Sequence, residues 1–301
     1  FLLLAAEVAG QRQQYGIALD GYLRATTLVK DESIIKRATD IALFIQDGKK
    51  LEQAVASWLE LKPQDLEVHT LQAIAMILLQ DKPSAVTELK FILAQEPKQF
   101  DKSMGRVVKS LTRSVHRRFA YQVIEELLQD YPENAVLYFS LASLDFFNHQ
   151  YAQAENHIGQ FLTVHPDELK GLLLLSQIYI KQEKWNDAVG VLKTALQQED
   201  YVQVKEQLGL LLLKQNKYVE AKAVFQALHE QLPKNSAVEW QLALVLLQLG
   251  ENAEAKVHLL TLFKQAPFKN QSAYYLGRVS AQESNFDDAI AWFDEVLGEY
   301  K

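Results

Sequence analysis

The chain has 301 residues, of which 49% are hydrophobic and 23% are charged, so it can bury a core and is not a disordered chain. Its formal net charge of −7 argues against nucleic acid as a partner. The absence of cysteine excludes disulfides, thiolate metal ligands and a cysteine nucleophile, and the small number of glycines (12) and prolines (7) disfavours an all-β fold.

The chain opens on a short apolar run, from Phe1 to Ala6, that ends at Glu7. This run is much shorter than the roughly 18 apolar residues that a membrane span needs. It also lacks the basic start and the cleavage site of a signal peptide. We therefore predict no transmembrane segment, and we expect a fragment of a longer chain, with any export signal or lipid anchor outside it.

Two sets of residues recur along the chain with a period close to 34. Six of the seven prolines are spaced by one or two such periods. Between them, an aromatic residue stands three positions before an alanine, a small residue twelve positions before it and a bulky residue four positions after it. Small residues allow two helices to approach closely, and proline ends a helix. The prolines are Pro63, Pro97, Pro132, Pro166, Pro233 and Pro267, and the small, aromatic, alanine and bulky sets include Ala142, Tyr151, Ala154 and Ile158, Ser176, Trp185, Ala188 and Leu192, Gly209, Tyr218, Ala221 and Phe225, and Gly277, Phe286, Ala289 and Phe293.

This pattern resembles the tetratricopeptide repeat (TPR), a 34-residue unit of two antiparallel helices, A and B. One such hairpin cannot bury its own apolar face, so neighbouring hairpins must stack. The resemblance implies an all-α fold, an α-solenoid (superhelix) of about nine TPR-like hairpins forming a single domain over 1–301. The predicted hairpins are 1–30, 31–63, 64–97, 98–132, 133–166, 167–200, 201–233, 234–267 and 268–301.

The sequence contains no pattern that is typical of a catalytic, cofactor or metal site. The glycines are dispersed and match no phosphate-binding loop. The seven histidines include no H-x-x-x-H pair, and neighbouring acidic residues do not share a helical face. We therefore predict a protein that is not an enzyme and has no catalytic residue, no cofactor and no metal site.

A basic stripe is predicted on the A helix of the fourth hairpin. Lys102, Arg106, Lys109 and Arg113 recur at i, i+4, i+7 and i+11, and residues 98–132 carry seven basic against four acidic side chains. Such a local excess of positive charge favours an anionic partner. The alternative is a solvated helix face without a ligand.

The pair Lys102 and Arg106 also resembles one half of the carboxylate clamp with which chaperone-binding TPR domains hold the C-terminus of a peptide. The other three clamp positions are occupied by Leu71, Thr39 and Leu43. Two of five positions give little support for a receptor of chaperone tails.

A second candidate binding region lies in the last two hairpins. Trp240, Tyr275 and Arg278 fall on predicted A helices, whose side chains line the inner groove of such a solenoid. Aromatic residues and arginine are typical anchors for peptide partners. The alternative is that the two aromatic side chains only pack between adjacent hairpins.

The first 42 residues resemble a narrower group, the bacterial outer-membrane TPR lipoproteins that partner a periplasmic carboxy-terminal processing protease. The resemblance continues more weakly to about Pro132. It implies an adaptor that tethers the protease, presents peptidoglycan hydrolases to it and is held by an N-terminal lipid anchor at the periplasmic face of the outer membrane. The matching residues are Glu7, Gly10, Gln11, Arg12, Tyr15, Ala18, Leu19, Tyr22, Arg37, Ala38, Ile41 and Ala42, followed by Trp58, Leu59, Leu61 and Pro63.

Three hypotheses for the function follow from the sequence. The first is this periplasmic scaffold, with a protease and cell-wall hydrolases as protein partners. The second is a general TPR scaffold for envelope, secretion or cytoplasmic complexes, with a cytoplasmic location as the alternative. The third, an enzyme, would need a catalytic domain outside these residues.

Overall fold

A computed structural model describes residues 1–112 and 114–297 of the chain. Within these residues there are eighteen α-helices, one short 3₁₀ helix (Ala266–Phe268) and no strand. The helices form nine successive pairs, called hairpins 1 to 9, each with an A and a B helix. The pairs are α1 (Leu2–Gln11) with α2 (Tyr15–Leu28), α3 (Glu32–Ile45) with α4 (Gly48–Leu61), α5 (Leu66–Leu79) with α6 (Lys82–Gln95), α7 (Pro97–Leu111) with α8 (Arg117–Asp130), α9 (Ala135–Phe147) with α10 (Tyr151–Val164), α11 (Leu169–Lys181) with α12 (Trp185–Gln198), α13 (Val202–Lys214) with α14 (Tyr218–Gln231), α15 (Ser236–Gln248) with α16 (Asn252–Phe263), and α17 (Lys269–Gln282) with α18 (Phe286–Leu297).

Short polar side chains begin many of these helices. The carboxylate of Asp31 accepts a hydrogen bond of 2.8 Å from the backbone N–H of Ser33, which satisfies a donor that the helix itself leaves unpaired. Hydrogen bonds from the hydroxyl and then the backbone N–H of Ser33 lower the pKa of Asp31. Hydrogen bonds from Ser84 likewise lower the pKa of Asp81. The residues that cap a helix in this way are Asp31, Asp47, Asp65, Asp81, Asn134 and Asn235.

The A–B turns share one backbone conformation. In eight of the nine turns of the described ranges, a residue with positive φ follows helix A and reverses the chain into helix B. The fourth turn, between Leu111 and Arg117, contains no such residue among its described positions, and its A helix is 15 residues long. Hairpin 4 therefore differs from the others in the described part of its turn. The positive-φ residues are Gln13, Gln46, Gln80, His149, Glu183, Asn216, Gly250 and Ser284.

The small and bulky positions of the sequence pattern meet as predicted. A Cβ atom on Gly209 would lie 2.7 Å from the ring of Phe225, and a Cβ on Gly277 would lie 2.7 Å from the ring of Phe293. Real Cβ atoms essentially never come this close, so a larger residue at either position would force the ring of helix B to shift. The alanines of the same pattern, such as Ala154 and Ala221, are fully buried.

The chain divides into two compact units, residues 1–174 and 175–301, with the division inside α11. In the first unit, a continuous apolar core runs from Ala6 to Leu144, and the A helices α5, α7 and α9 pack side by side. In the second unit, one apolar cluster joins Ala243, Leu259 and Leu276. The predicted all-α fold of nine hairpins is confirmed, whereas the single domain over 1–301 stays a prediction, whose last four residues lie outside the described part.

The prolines lie close to the predicted hairpin boundaries. Pro97 was predicted as the last residue of hairpin 3, but it is the first residue of α7. Hairpin 4 therefore starts one residue earlier than predicted. None of the helices in the described residues is long and apolar enough to cross a membrane.

Candidate functional site

The basic stripe of α7 is divided between two hollows. Lys102 and Arg106 line a small one of about 110 Å³ together with Glu67 and Thr70 of α5. Nη1 of Arg106 lies 2.6 Å from Oε1 of Glu67, so the guanidinium already has an anionic partner. The guanidinium of Arg106 thus forms an ion pair between α7 and α5, which a ligand carboxylate would have to share or replace.

Lys109 lines a larger hollow of about 450 Å³, which we call the α7–α9 groove. Its walls are mostly apolar, and its rim carries the side chains of Asp101 and Lys170, whose Nζ and Oδ2 atoms are 2.7 Å apart. The Lys170 ammonium also lies 5.1 Å from the centre of the Phe139 ring. The groove is lined by Asp101, Gly105, Val108, Lys109, Thr112, Phe139, Ser140, Ser143, Phe147 and Lys170.

Two cations of the predicted stripe on α7 remain unpaired. Lys102 and Lys109 are exposed, and neither forms an ion pair with another residue of the described ranges. Each can therefore attract a carboxylate of a ligand without first losing an internal partner. The fourth member of the predicted stripe, Arg113, lies outside the described residues.

The missing clamp positions are part of the core. Leu71 and Thr39 are fully buried, and the Thr39 hydroxyl donates a hydrogen bond of 2.8 Å to the backbone oxygen of Ile35. Leu43 packs partly buried against the same core. None of these three side chains is placed to hold a peptide carboxylate, so the likeness to the clamp is limited to Lys102 and Arg106.

In the second unit, the structure brings the other three predicted residues together. The ring centre of Trp240 lies 5.6 Å from that of Tyr275, and the guanidinium of Arg278 lies 5.6 Å from the same Tyr275 ring. Trp240 and Tyr275 are half-buried against the apolar cluster, while Arg278 is exposed. The two aromatic side chains thus pack in the core on one side and leave an edge at the surface.

One buried acid–base pair occurs in hairpin 5. Oδ2 of Asp145 lies 2.8 Å from Nδ1 of His157, and the Asp145 side chain is only 1% exposed. Burial, and then the nearby Asp145 carboxylate, raises the pKa of Tyr121 to about 12. This pair therefore joins α9 to α10 within hairpin 5.

Sequence reasoning missed the partners that shape these hollows. Glu67 is 39 positions before Arg106, and Lys170 is 69 positions after Asp101, so each contact joins different hairpins. A repeat register could have placed these residues on adjacent A helices. It could not have shown which cations are neutralised.

Comparisons with known proteins agree with the repeat architecture. A family model described as tetratricopeptide repeat matches residues 212–278, and a model described as anaphase-promoting complex, cyclosome, subunit 3 matches residues 147–228. A TPR repeat-containing protein of Pseudomonas aeruginosa is 26% identical over 205 residues, which are 66% of this chain. The matched segment spans only 33% of that relative's length.

Two solved structures share the fold. The crystal structure of MamA superimposes with a TM-score of 0.50 and 18% identity, and the match covers 56% of this chain and 92% of MamA. The crystal structure of YrrB, a TPR protein with an unusual peptide-binding site, also gives a TM-score of 0.50 and 18% identity, covering 58% of this chain and 91% of YrrB. Taken together with the sequence ladder and the nine helical pairs, these similarities show that the chain has the tetratricopeptide repeat fold.

Proposed function

We propose that the chain is a non-catalytic scaffold that binds a peptide segment of a protein partner in the α7–α9 groove. The observation that carries this proposal is a mostly apolar hollow of about 450 Å³ on the A-helix side, with the unpaired Lys109 at its edge. TPR proteins generally mediate contacts between proteins, and peptide binding is the use described for YrrB, which has the same fold.

The groove favours a ligand with an apolar side chain next to a carboxylate. Val108, Phe139 and Phe147 supply apolar contact area, which is the main source of favourable free energy for a buried side chain. Lys109 attracts the carboxylate, whereas Lys170 is already paired with Asp101. A peptide ending in an apolar residue with a free C-terminus has this chemistry, and so does an acidic residue beside an apolar one.

The test is a comparison of peptide affinities at constant ionic strength. We expect Lys109→Glu to weaken the binding of peptides with an apolar C-terminal residue by about tenfold or more, because an attraction becomes a repulsion. Lys98→Glu is the matched control, since it makes the same charge change at an exposed position of α7 outside both hollows. Equal affinities of the two variants would contradict the proposal.

For the biological role, we propose that this scaffold tethers a periplasmic carboxy-terminal processing protease to cell-wall hydrolases, and that it acts at the periplasmic face of the outer membrane. The resemblance of residues 1–42 to lipid-anchored adaptors of that kind supports this role. The alternative is a scaffold for other envelope, secretion or cytoplasmic complexes.

A capture experiment from envelope extract separates these roles. The first role predicts that the chain retains a processing protease together with a peptidoglycan hydrolase, and that Lys109→Glu retains less of one of them than Lys98→Glu does. Capture of neither protein, or localisation of the natural gene product to the cytoplasm, would favour the alternative.

A further inference from the structure

A cluster of two histidines and one glutamate lies in hairpins 7 and 8 and shares no residue with the two candidate peptide-binding regions. His229 on α14, Glu239 on α15 and His258 on α16 each offer a ligand atom, and these atoms all lie within 4.8 Å of one another. The three residues lie on three consecutive helices, so they form no local sequence motif for a metal site.

The atoms of this cluster are poorly satisfied by the protein alone. The Glu239 side chain is 8% exposed, and its Oε1 lies 3.4 Å from Nδ1 of His258, which is long for a hydrogen bond between charged groups. Nδ1 of His229 is buried without a hydrogen-bond partner in the described part of the chain. The rings of His229 and His258 stand perpendicular, with centres 5.2 Å apart.

The equivalent positions of hairpin 3 provide an internal reference. His69 and Glu88 lie 170 residues, or five repeats, before Glu239 and His258, with the two residue types exchanged. There, Nδ1 of His69 lies 2.6 Å from Oε2 of Glu88, and Nε2 lies 3.0 Å from the backbone oxygen of Pro63. The position of His229 is held by Leu59, so the pair of hairpin 3 has no third metal-ligating side chain at the equivalent position.

We propose that His229, Glu239 and His258 bind a divalent transition metal ion, with Zn²⁺ as the ion that fits the donor set. Imidazole and carboxylate are usual zinc ligands, and three protein ligands leave a fourth position for water. The 3.4 Å between Nδ1 of His258 and Oε1 of Glu239 matches the separation of about 3.3 Å expected for two ligands at about 2.0–2.1 Å from a tetrahedral zinc ion.

Bound metal would join helix B of hairpin 7 to both helices of hairpin 8. The carboxylate of Glu239 would gain a cationic partner. The buried nitrogen of His229, which has no hydrogen-bond partner in the described residues, would bind the metal. The site would therefore hold two neighbouring hairpins of the second unit together. It stands independently of the peptide-binding proposal, because none of its residues lines the α7–α9 groove.

The test is calorimetric titration of the tag-free, EDTA-treated chain with ZnCl₂. We expect one Zn²⁺ per chain, and an affinity reduced at least tenfold in His229→Leu, which copies hairpin 3, and in His258→Gln. His69→Gln is the matched control and should bind zinc as the unchanged chain does.

Circular dichroism shows whether each variant keeps its helices, and His258→Gln serves if His229→Leu does not fold. Absence of zinc binding by the unchanged chain would overturn the proposal. So would an equal loss of affinity in His69→Gln, or full affinity in both folded variants of the cluster.

Discussion

Hairpins 3 and 8 place a histidine and a glutamate at equivalent positions but use them differently. In hairpin 3, Nδ1 of His69 lies 2.6 Å from Oε2 of Glu88, and the position equivalent to His229 is occupied by Leu59. In hairpin 8, Glu239 and His258 remain at 3.4 Å, and His229 occupies the position of Leu59. The closed pair thus has a leucine, and the open pair a histidine, at the equivalent position of the preceding B helix.

A third histidine–carboxylate pair lies in hairpin 5 and is the most deeply buried of the three. Asp145 and His157 are 2.8 Å apart, and the carboxylate is more deeply buried than either glutamate. The largest effect on stability is therefore expected here. We expect His157→Ala to lower the free energy of unfolding by about 3–5 kcal/mol, because a buried charge loses its partner.

Urea unfolding followed by circular dichroism measures this loss. Asp145→Asn combined with His157→Ala should recover part of it, since the buried charge is then gone. A loss below about 1 kcal/mol, the range of exposed ion pairs, would contradict the structural role given to the pair.

The second expected effect is stabilisation of the unchanged chain by zinc. At a free Zn²⁺ concentration of a hundred times the dissociation constant, the folded form should gain about 2.7 kcal/mol. The thermal midpoint should rise for the unchanged chain and for His69→Gln, and by a clearly smaller amount for His229→Leu. A rise of equal size in His229→Leu would place the metal elsewhere.

A third metal-ligating side chain can also be added beside the His69–Glu88 pair of hairpin 3. Leu59 is half-buried, and Leu59→His would stand beside His69 and Glu88 as His229 stands beside its partners. We expect a second, weaker zinc equivalent, seen as a stoichiometry of two in calorimetry. A stoichiometry that stays at one would show that the equivalent positions are not enough to form a site.

The smallest effect concerns Tyr121, whose pKa burial and the Asp145 carboxylate raise to about 12. The folded chain keeps the phenol proton while the unfolded chain loses it near pH 10, so raising the pH favours unfolding. Stability from this group is complete below about pH 10 and is lost between about pH 10 and 12. Thermal midpoints of Tyr121→Phe should fall less steeply over this interval than those of the unchanged chain, and parallel curves would contradict the assignment.

The fold could be predicted from the sequence because its information is local and repeated. The small residue at Gly209, the alanine at Ala221 and the ring of Phe225 lie within one hairpin, and the period multiplies the signal along the chain. The A–B turns repeat as well, except in hairpin 4, where no described turn residue has a positive φ.

The sites were predicted only in part because their contacts join different hairpins. The spacing correctly put Lys102 and Arg106 side by side, but it could not show that Glu67 neutralises Arg106. Trp240 and Tyr275 were found as aromatic residues on A helices, and the structure gives them both packing and an exposed edge. The cluster of His229, Glu239 and His258 gave no signal in the sequence, because its three residues lie on three different helices.

Blocking the α7–α9 groove is the most direct test of peptide binding in this groove. Gly105 lines the groove, and a Cβ added there meets no atom within 4 Å, so Gly105→Leu fills the hollow without disturbing the core. Gly159→Leu is the matched control, since it is equally unobstructed but lies outside the groove. Peptide affinity should be lost in Gly105→Leu and kept in Gly159→Leu, whereas full affinity in Gly105→Leu would show that partners bind elsewhere.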